Sequence, residues 1–189
     1  MRPAEARERR SVLLSDDGSR GVALAWPIPE DATPVEIDAV AALLDGTTFS
    51  FLPRWADETG DVTFRVHAPF PRNARPGLIL VEAFADGSSS IQAGQLEQSL
   101  AEHLAGLPEQ LRDFQCKQAG EIAIGRRVLA TSDFSDLAVS LAVGTLAEGR
   151  TPDEVLGLGE APGSARVRQL ADRIFRTRPG TVVVLGPAQ

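Results

Sequence analysis

The chain has 189 residues, 19 Lys and Arg against 26 Asp and Glu, a net charge of −7, and 43% apolar residues. That composition excludes a disordered chain, and the acidic balance argues against a protein that coats nucleic acid. The single Cys116 excludes an internal disulfide, and with only His67 and His103 beside it no nitrogen–sulfur zinc site can be assembled.

Residues 1–10 form a short polar arm without an apolar signal core after it. No run approaches the roughly 18 apolar residues that a membrane span requires. The expectation is a cytoplasmic protein, one domain over 1–189, with a strand-like tail at 181–189.

Ser11–Leu14 and Gly21–Trp26 flank the turn-forming Asp16-Asp17-Gly18-Ser19, which predicts a hairpin over 11–26. Thr33-Pro34-Val35-Glu36 has the form of a capping box, and Ile37, Val40, Ala41 and Leu44 continue it as a helix over 34–44. Phe49 and Phe51 alternate, so Thr47–Leu52 reads as a strand, as does Val62–Val66. Three Pro and a Gly make 69–77 a loop, and the apolar run Leu78–Val81 opens a strand covered on both faces.

Leu96, Leu100, Leu104, Leu107 and Leu111 form one stripe of a helix over 90–107, with Pro108 expected to kink or divide it. Leu137, Val139, Leu141 and Val143 alternate with small residues, and Gly144 would cost a helix roughly 1 kcal/mol. A three-strand meander therefore follows: Glu121–Thr131, Leu137–Leu146 and Glu154–Glu160. A last helix spans 164–177, with Val167, Leu170, Ala171, Ile174 and Phe175 on one face.

From residue 78 onward the order strand, long helix, meander and helix resembles the PsbP-like fold, an antiparallel sheet flanked by helices. The residues that carry it are Leu78–Phe84, the helix around Leu96–Leu104, Ile122–Arg127, Leu137–Leu146 and Ser164–Arg176. Photosystem extrinsic subunits, LpqN-type lipoproteins and chaperones of bacterial secretion effectors share that fold. The resemblance implies an α+β protein with a mostly antiparallel sheet and a binding or adaptor role without catalysis. It offers no lipobox here and no catalytic residues.

Candidate chemistry is sparse. Gly157-Leu158-Gly159 with Gly163 precedes a helix, but no Lys-Ser/Thr pair follows and Glu160 would repel phosphate, so a tight turn explains it. His67 could serve as a general base only if the fold brought Cys116 or Ser132 to it. His103 sits within the long helix as a boundary or surface group. Cys116, beside Lys117, reads as a buried thiol. The acidic pairs Asp16/Asp17, Asp57/Glu58 and Asp153/Glu154 fall in turns or caps, without the further ligands that calcium takes.

Arg166, Arg168, Arg173, Arg176 and Arg178 give the last helix a basic face. Arg166 and Arg173, with the loop aromatics Trp55 and Phe70, are the candidate partner-binding residues; folding back onto the sheet also accounts for the aromatics. No cofactor or metal is expected. The leading reading is a non-enzymatic adaptor or chaperone whose partner is another protein or itself, with a small-molecule ligand left open. The alternatives are a small hydrolase or transferase using His67, and an oligomer joined through its C-terminal strand.

Overall fold

The computed structural model describes residues 9–15, 19–45, 50–70, 77–85, 89–130, 134–147, 149, 151–152 and 160–187. Five strands form one sheet: β1 (Arg9–Ser15), β2 (Arg20–Pro27), β3 (Val62–Phe70), β4 (Leu78–Ala85) and β5 (Thr181–Pro187). Their order is β1-β5-β2-β4-β3. Only β1 and β5 run parallel, so the protein is α+β with a mostly antiparallel sheet.

Six α-helices accompany it among the described residues: α1 (Pro34–Asp45), α2 (Phe51–Thr59), α3 (Ala93–Gln110), α4 (Asp113–Ala130), α5 (Phe134–Ala142) and α6 (Ser164–Phe175). A π-helical segment, Val143–Ala147, continues α5. Helices α1, α2, α3 and α6 touch the strands, whereas α4 packs on α1 and α6.

The core lies between sheet and helices. Val22, Leu24 and Trp26 of β2, Ile79, Val81 and Ala83 of β4, and Val182 and Val184 of β5 point into it. The leucine stripe of α3 meets them, with Leu96, Leu100, Leu104 and Leu107 fully buried. Burying each such side chain is worth about 1.5–3 kcal/mol. Trp26 and Phe175 meet edge to face at 5.3 Å, and the Trp26 indole N–H donates to the Thr177 carbonyl at 3.1 Å. Such pairs prefer this tilt because the ring edge is positive and the face negative.

The Thr33–Glu36 capping box forms as the sequence implies, and the structure adds a second at Gln92 and Gln95. Thr33 N–H donates to Glu36 Oε2 at 2.8 Å, and Gln92 N–H donates to Gln95 Oε1 at 3.0 Å. Helix α3 runs through Pro108 to Gln110 without dividing. The proline falls in the last turn and forfeits one backbone bond, while buried Leu107 and Leu111 hold the turn to the core.

Several expectations are corrected. β1 and β2 are strands but do not form a hairpin, because β5 lies between them and pairs with both. The strand expected over 47–52 is instead the start of α2, whose buried Phe51, Leu52, Trp55 and Ala56 have helical spacing; residues 46–49 lie outside the described set. β3 continues to Phe70, into the expected loop, and residues 71–76 are outside the description. β4 is covered on one face only, since Ile79, Val81, Ala83 and Ala85 are buried and their neighbours half-buried.

The first two strands expected of the meander are helical among the described residues. Glu121–Ala130 belongs to α4, which presents the small Cys116, Ala119 and Ala123 to the core. Leu137–Leu146 belongs to α5 and the π segment, where Thr145 donates to the Leu141 carbonyl at 2.6 Å, a back-bond that suits a widened turn. The third strand and the Gly157–Gly159 turn lie within 153–159, outside the description apart from Glu160.

The C-terminal strand is paired along both edges within its own sheet, which leaves no edge for a neighbouring molecule. Deleting residues 181–189 is therefore expected to abolish the cooperative thermal transition and near-UV circular dichroism. A shortened chain that still melts cooperatively would contradict this placement.

Candidate protein-binding face

The sheet has a second face, turned away from the helices. Strand register lays it out in rows across the strands. One row is Leu13, Leu185, Gly21, Phe84 and Thr63; the next is Ser11, Val183, Ala23, Glu82 and Arg65. A third runs from Thr181 through Ala25 and Leu80 to His67. The centre is apolar and the charges collect toward the β3 edge.

No described helix covers this face. Leu13 is 55% exposed, and Leu80, Phe84, Val183 and Leu185 are half-buried. Gly21 is required here, because a Cβ at that position would stand 2.8 Å from Cδ1 of Phe84. The Phe84 ring thus occupies the space that a side chain at position 21 would need. An apolar sheet face rimmed by charge is the usual form of a protein-binding surface.

His67 stands at the margin of that face, half-exposed, with Nε2 at 3.1 Å from Glu82 Oε2. Cys116 is fully buried in α4, on the helix side of the sheet. Burial pushes its thiol above the ordinary value. The fold thus separates His67 from Cys116; Ser132 lies outside the described residues. Among the described residues, His67 and Glu82 form a surface pair.

His103 lies across the core from His67. Its Nε2–H donates to the Phe51 carbonyl at 3.1 Å, and its ring packs near Phe51 and Trp55. Burial lowers its pKa. Trp55 is 3% exposed, and its indole N–H donates to Ser99 Oγ at 2.9 Å, so the loop aromatic is a core residue of α2. Phe70 closes β3 opposite Leu78.

The arginines of α6 are engaged within the fold. Arg173 grips Asp31 with two contacts of 2.8 Å, and Arg166 reaches Asp31 at 3.2 Å and buried Glu36 at 2.7 Å. Arg168 meets Asp113 at 3.0 Å, and Arg176 meets Asp172 at 2.8 Å. The basic face is largely neutralised, and Arg166 and Arg173 clasp α6 to the segment before α1. Arg173 and then Arg166 hold the Asp31 carboxyl well below the usual range. Burial works to raise Glu36, but Arg166 and Thr33 outweigh it and leave it low.

Sequence reasoning missed the outer face. Leu78, Leu80 and Phe84 made β4 look apolar on both sides; Glu82 in mid-run and Gly21 opposite Phe84 were the signals available.

No protein-family model matches the sequence, and no curated protein matches it. Solved structures do match. A protease from Helicobacter pylori aligns with a TM-score of 0.75 at 18% identity, over 98% of this chain and 46% of that one. The peptidase M16 inactive domain from Pseudomonas fluorescens aligns at 0.62 and 15%, over 100% of this chain and 45% of that one. The fold is that of an M16-like peptidase domain. The ferredoxin protease FusC, in complex with Arabidopsis ferredoxin, aligns at 0.70 and 14%, over 97% of this chain and 20% of that one. The chain thus spans less than half the length of these three proteins.

These matches overturn the PsbP-like resemblance. It rested on a three-strand meander after the long helix, and the described part of that region is α4, α5 and the π segment. Zinc peptidases hold their metal through His and carboxylate ligands, for instance in an H-x-x-E-H pattern. This sequence lacks that pattern: its only histidines, His67 and His103, lie on opposite sides of the sheet. Among the described residues no three His, Cys, Asp or Glu side chains gather to hold a metal ion. The described residues do not fit a catalytic zinc. Also among them, no helix is long and apolar enough to cross a membrane.

Asp31 ionises more readily folded than unfolded, so it contributes stability above its unfolded pKa of about 4 and loses that contribution as pH falls below it. Asp31→Asn is expected to melt below the native chain at pH 7, with the gap closing under about pH 4. An equal gap at both pH values would show that the clasp is not electrostatic.

Proposed function

We propose that this chain is a non-catalytic, protein-binding unit with an M16-like fold, and that the open sheet face receives another polypeptide. The observation that carries the reading is the apolar row Leu13–Leu185–Phe84, left uncovered by every described helix. Two facts support it: the sequence has no zinc-peptidase motif, and the matching structures include an inactive M16 domain and a protease bound to a protein. The adaptor reading thus rests on a different fold from the one the sequence suggested. A cytoplasmic location belongs to the same proposal.

The His67 hydrolase finds no support in the geometry, since the described structure places no nucleophile beside that side chain. A protein partner fits the face better than a small molecule does, because the surface is broad and shallow.

The test is a native pull-down with the full chain and with a Leu80→Arg/Leu185→Arg double variant, each analysed by native mass spectrometry. The expected result is one polypeptide at fixed stoichiometry with the native chain and its loss with the variant, at unchanged circular dichroism. Equal retention by both chains, or chelator-sensitive protein hydrolysis by the native chain, would overturn the reading.

A further inference from the structure

The open face is not flat. Its central strand, β2, turns only Gly21, Ala23 and Ala25 outward, while the strands on either side turn out larger side chains: Val183 and Leu185 on β5, Leu80 and Phe84 on β4. A row of small residues between two taller rows is a shallow trough. Ala25 is 4% exposed although no described helix covers it, as befits a floor residue between taller neighbours. Phe84 closes one end, because its ring occupies the space above Gly21. Neighbouring strands lie about 4.8 Å apart, so the walls stand roughly 10 Å from each other. That is the width of an α-helix.

Backbone chemistry narrows the occupant. β2 pairs along both edges, with β4 on one side and β5 on the other, so the trough offers an incoming chain no free backbone partners. An extended segment laid over it would bury its own unpaired N–H and C=O groups, at roughly 1–3 kcal/mol each. A helix arrives with those groups already paired. A second sheet does too, but a flat sheet rests on the two walls and leaves the alanine floor empty, against the close packing of protein interfaces.

Charge sets the rotation of the helix. The β5 wall, Thr181, Val183 and Leu185, carries none. On the other side Glu82 is engaged by His67 at 3.1 Å, whereas Arg65, opposite Glu82 on β3, is exposed and has no ion-pair partner among the described residues. We propose that the trough over β2 receives an amphipathic helix of the partner polypeptide, with its apolar stripe seated between the β5 and β4 walls and a carboxylate on its flank meeting Arg65. The inference rests on the reading of this face as protein-binding and names the kind of segment that fills it. From Gly21 to Ala25 the floor runs about 13 Å, the length of about nine helical residues, which present apolar side chains at i, i+3, i+4 and i+7.

The experiment is fluorescence anisotropy with three synthetic peptides of about 18 residues, long enough to hold a helix. The first has leucines at helical spacing and glutamates on one flank. The second has the same composition in strand-like alternation, and the third has lysines in place of the glutamates. Each is titrated with the full native chain, Ala23→Leu and Arg65→Glu, and every chain is melted. Ala23→Leu adds apolar surface but fills the floor, so it separates a helix in the trough from an occupant resting on the walls. The native chain is expected to bind the first peptide about tenfold or more tighter than the second, and Ala23→Leu to lose about tenfold or more of that affinity. Arg65→Glu is expected to weaken the first peptide about threefold to tenfold and to favour the third. If Ala23→Leu also lowers the melting temperature, the exposed Arg65 position decides alone. No binding of the first peptide, equal binding of the second, undiminished binding by Ala23→Leu at an unchanged melt, or indifference to Arg65→Glu would each overturn the proposal. Should one of these occur while Leu80→Arg/Leu185→Arg still loses its partner in the pull-down, the face binds protein but not a helix; a partner retained by that double variant removes the surface itself.

Discussion

The insertion of β5 between β1 and β2 is the contact on which the rest of the structure depends. β5 pairs parallel with β1 and antiparallel with β2, so the last described strand ties together two of the earliest. Without it β1 has no partner among the described residues and Val182 and Val184 leave the core. The pairing spans nearly the whole sequence, and contacts of that range cost loop-closure entropy before they return any gain. The helix layer repays that cost: α3 touches β2, β4 and β5, and its leucine stripe buries their inward side chains.

That arrangement explains which parts of the fold were legible. Helices α1, α3 and α6 were read correctly because each announces itself locally, through a capping box, a leucine stripe or a five-residue apolar face. The hairpin failed because a turn signal is local and carries no information about a strand that enters from the far end of the chain. The meander failed for a different reason. In 137–146 leucine and valine alternate with Ala, Ser and Gly, residues small enough for either period, and the segment makes its main contacts with itself. In α4 the buried positions are Cys116, Ala119 and Ala123, so the helix packs through small residues and lacks a bulky stripe.

The candidate site was less legible than the fold, because it is a product of layering. The basic face of α6 was visible in the sequence, but its pairing with Asp31 and Glu36 is long-range and ties the helix to the segment before α1. Trp55 resolves toward the core for the same reason: its partner Ser99 lies on another helix. The outer sheet face emerges as a candidate only once the described helices are found on the opposite side.

The most direct test of this account is carbene footprinting of the isolated chain, read residue by residue along β4 and β5. The account predicts strong labelling of Leu80 and Leu185 and none of Ile79 and Val184, their neighbours on the same strands. Equal protection of all four would mean that the second face is covered within the chain itself, and the binding surface would not exist.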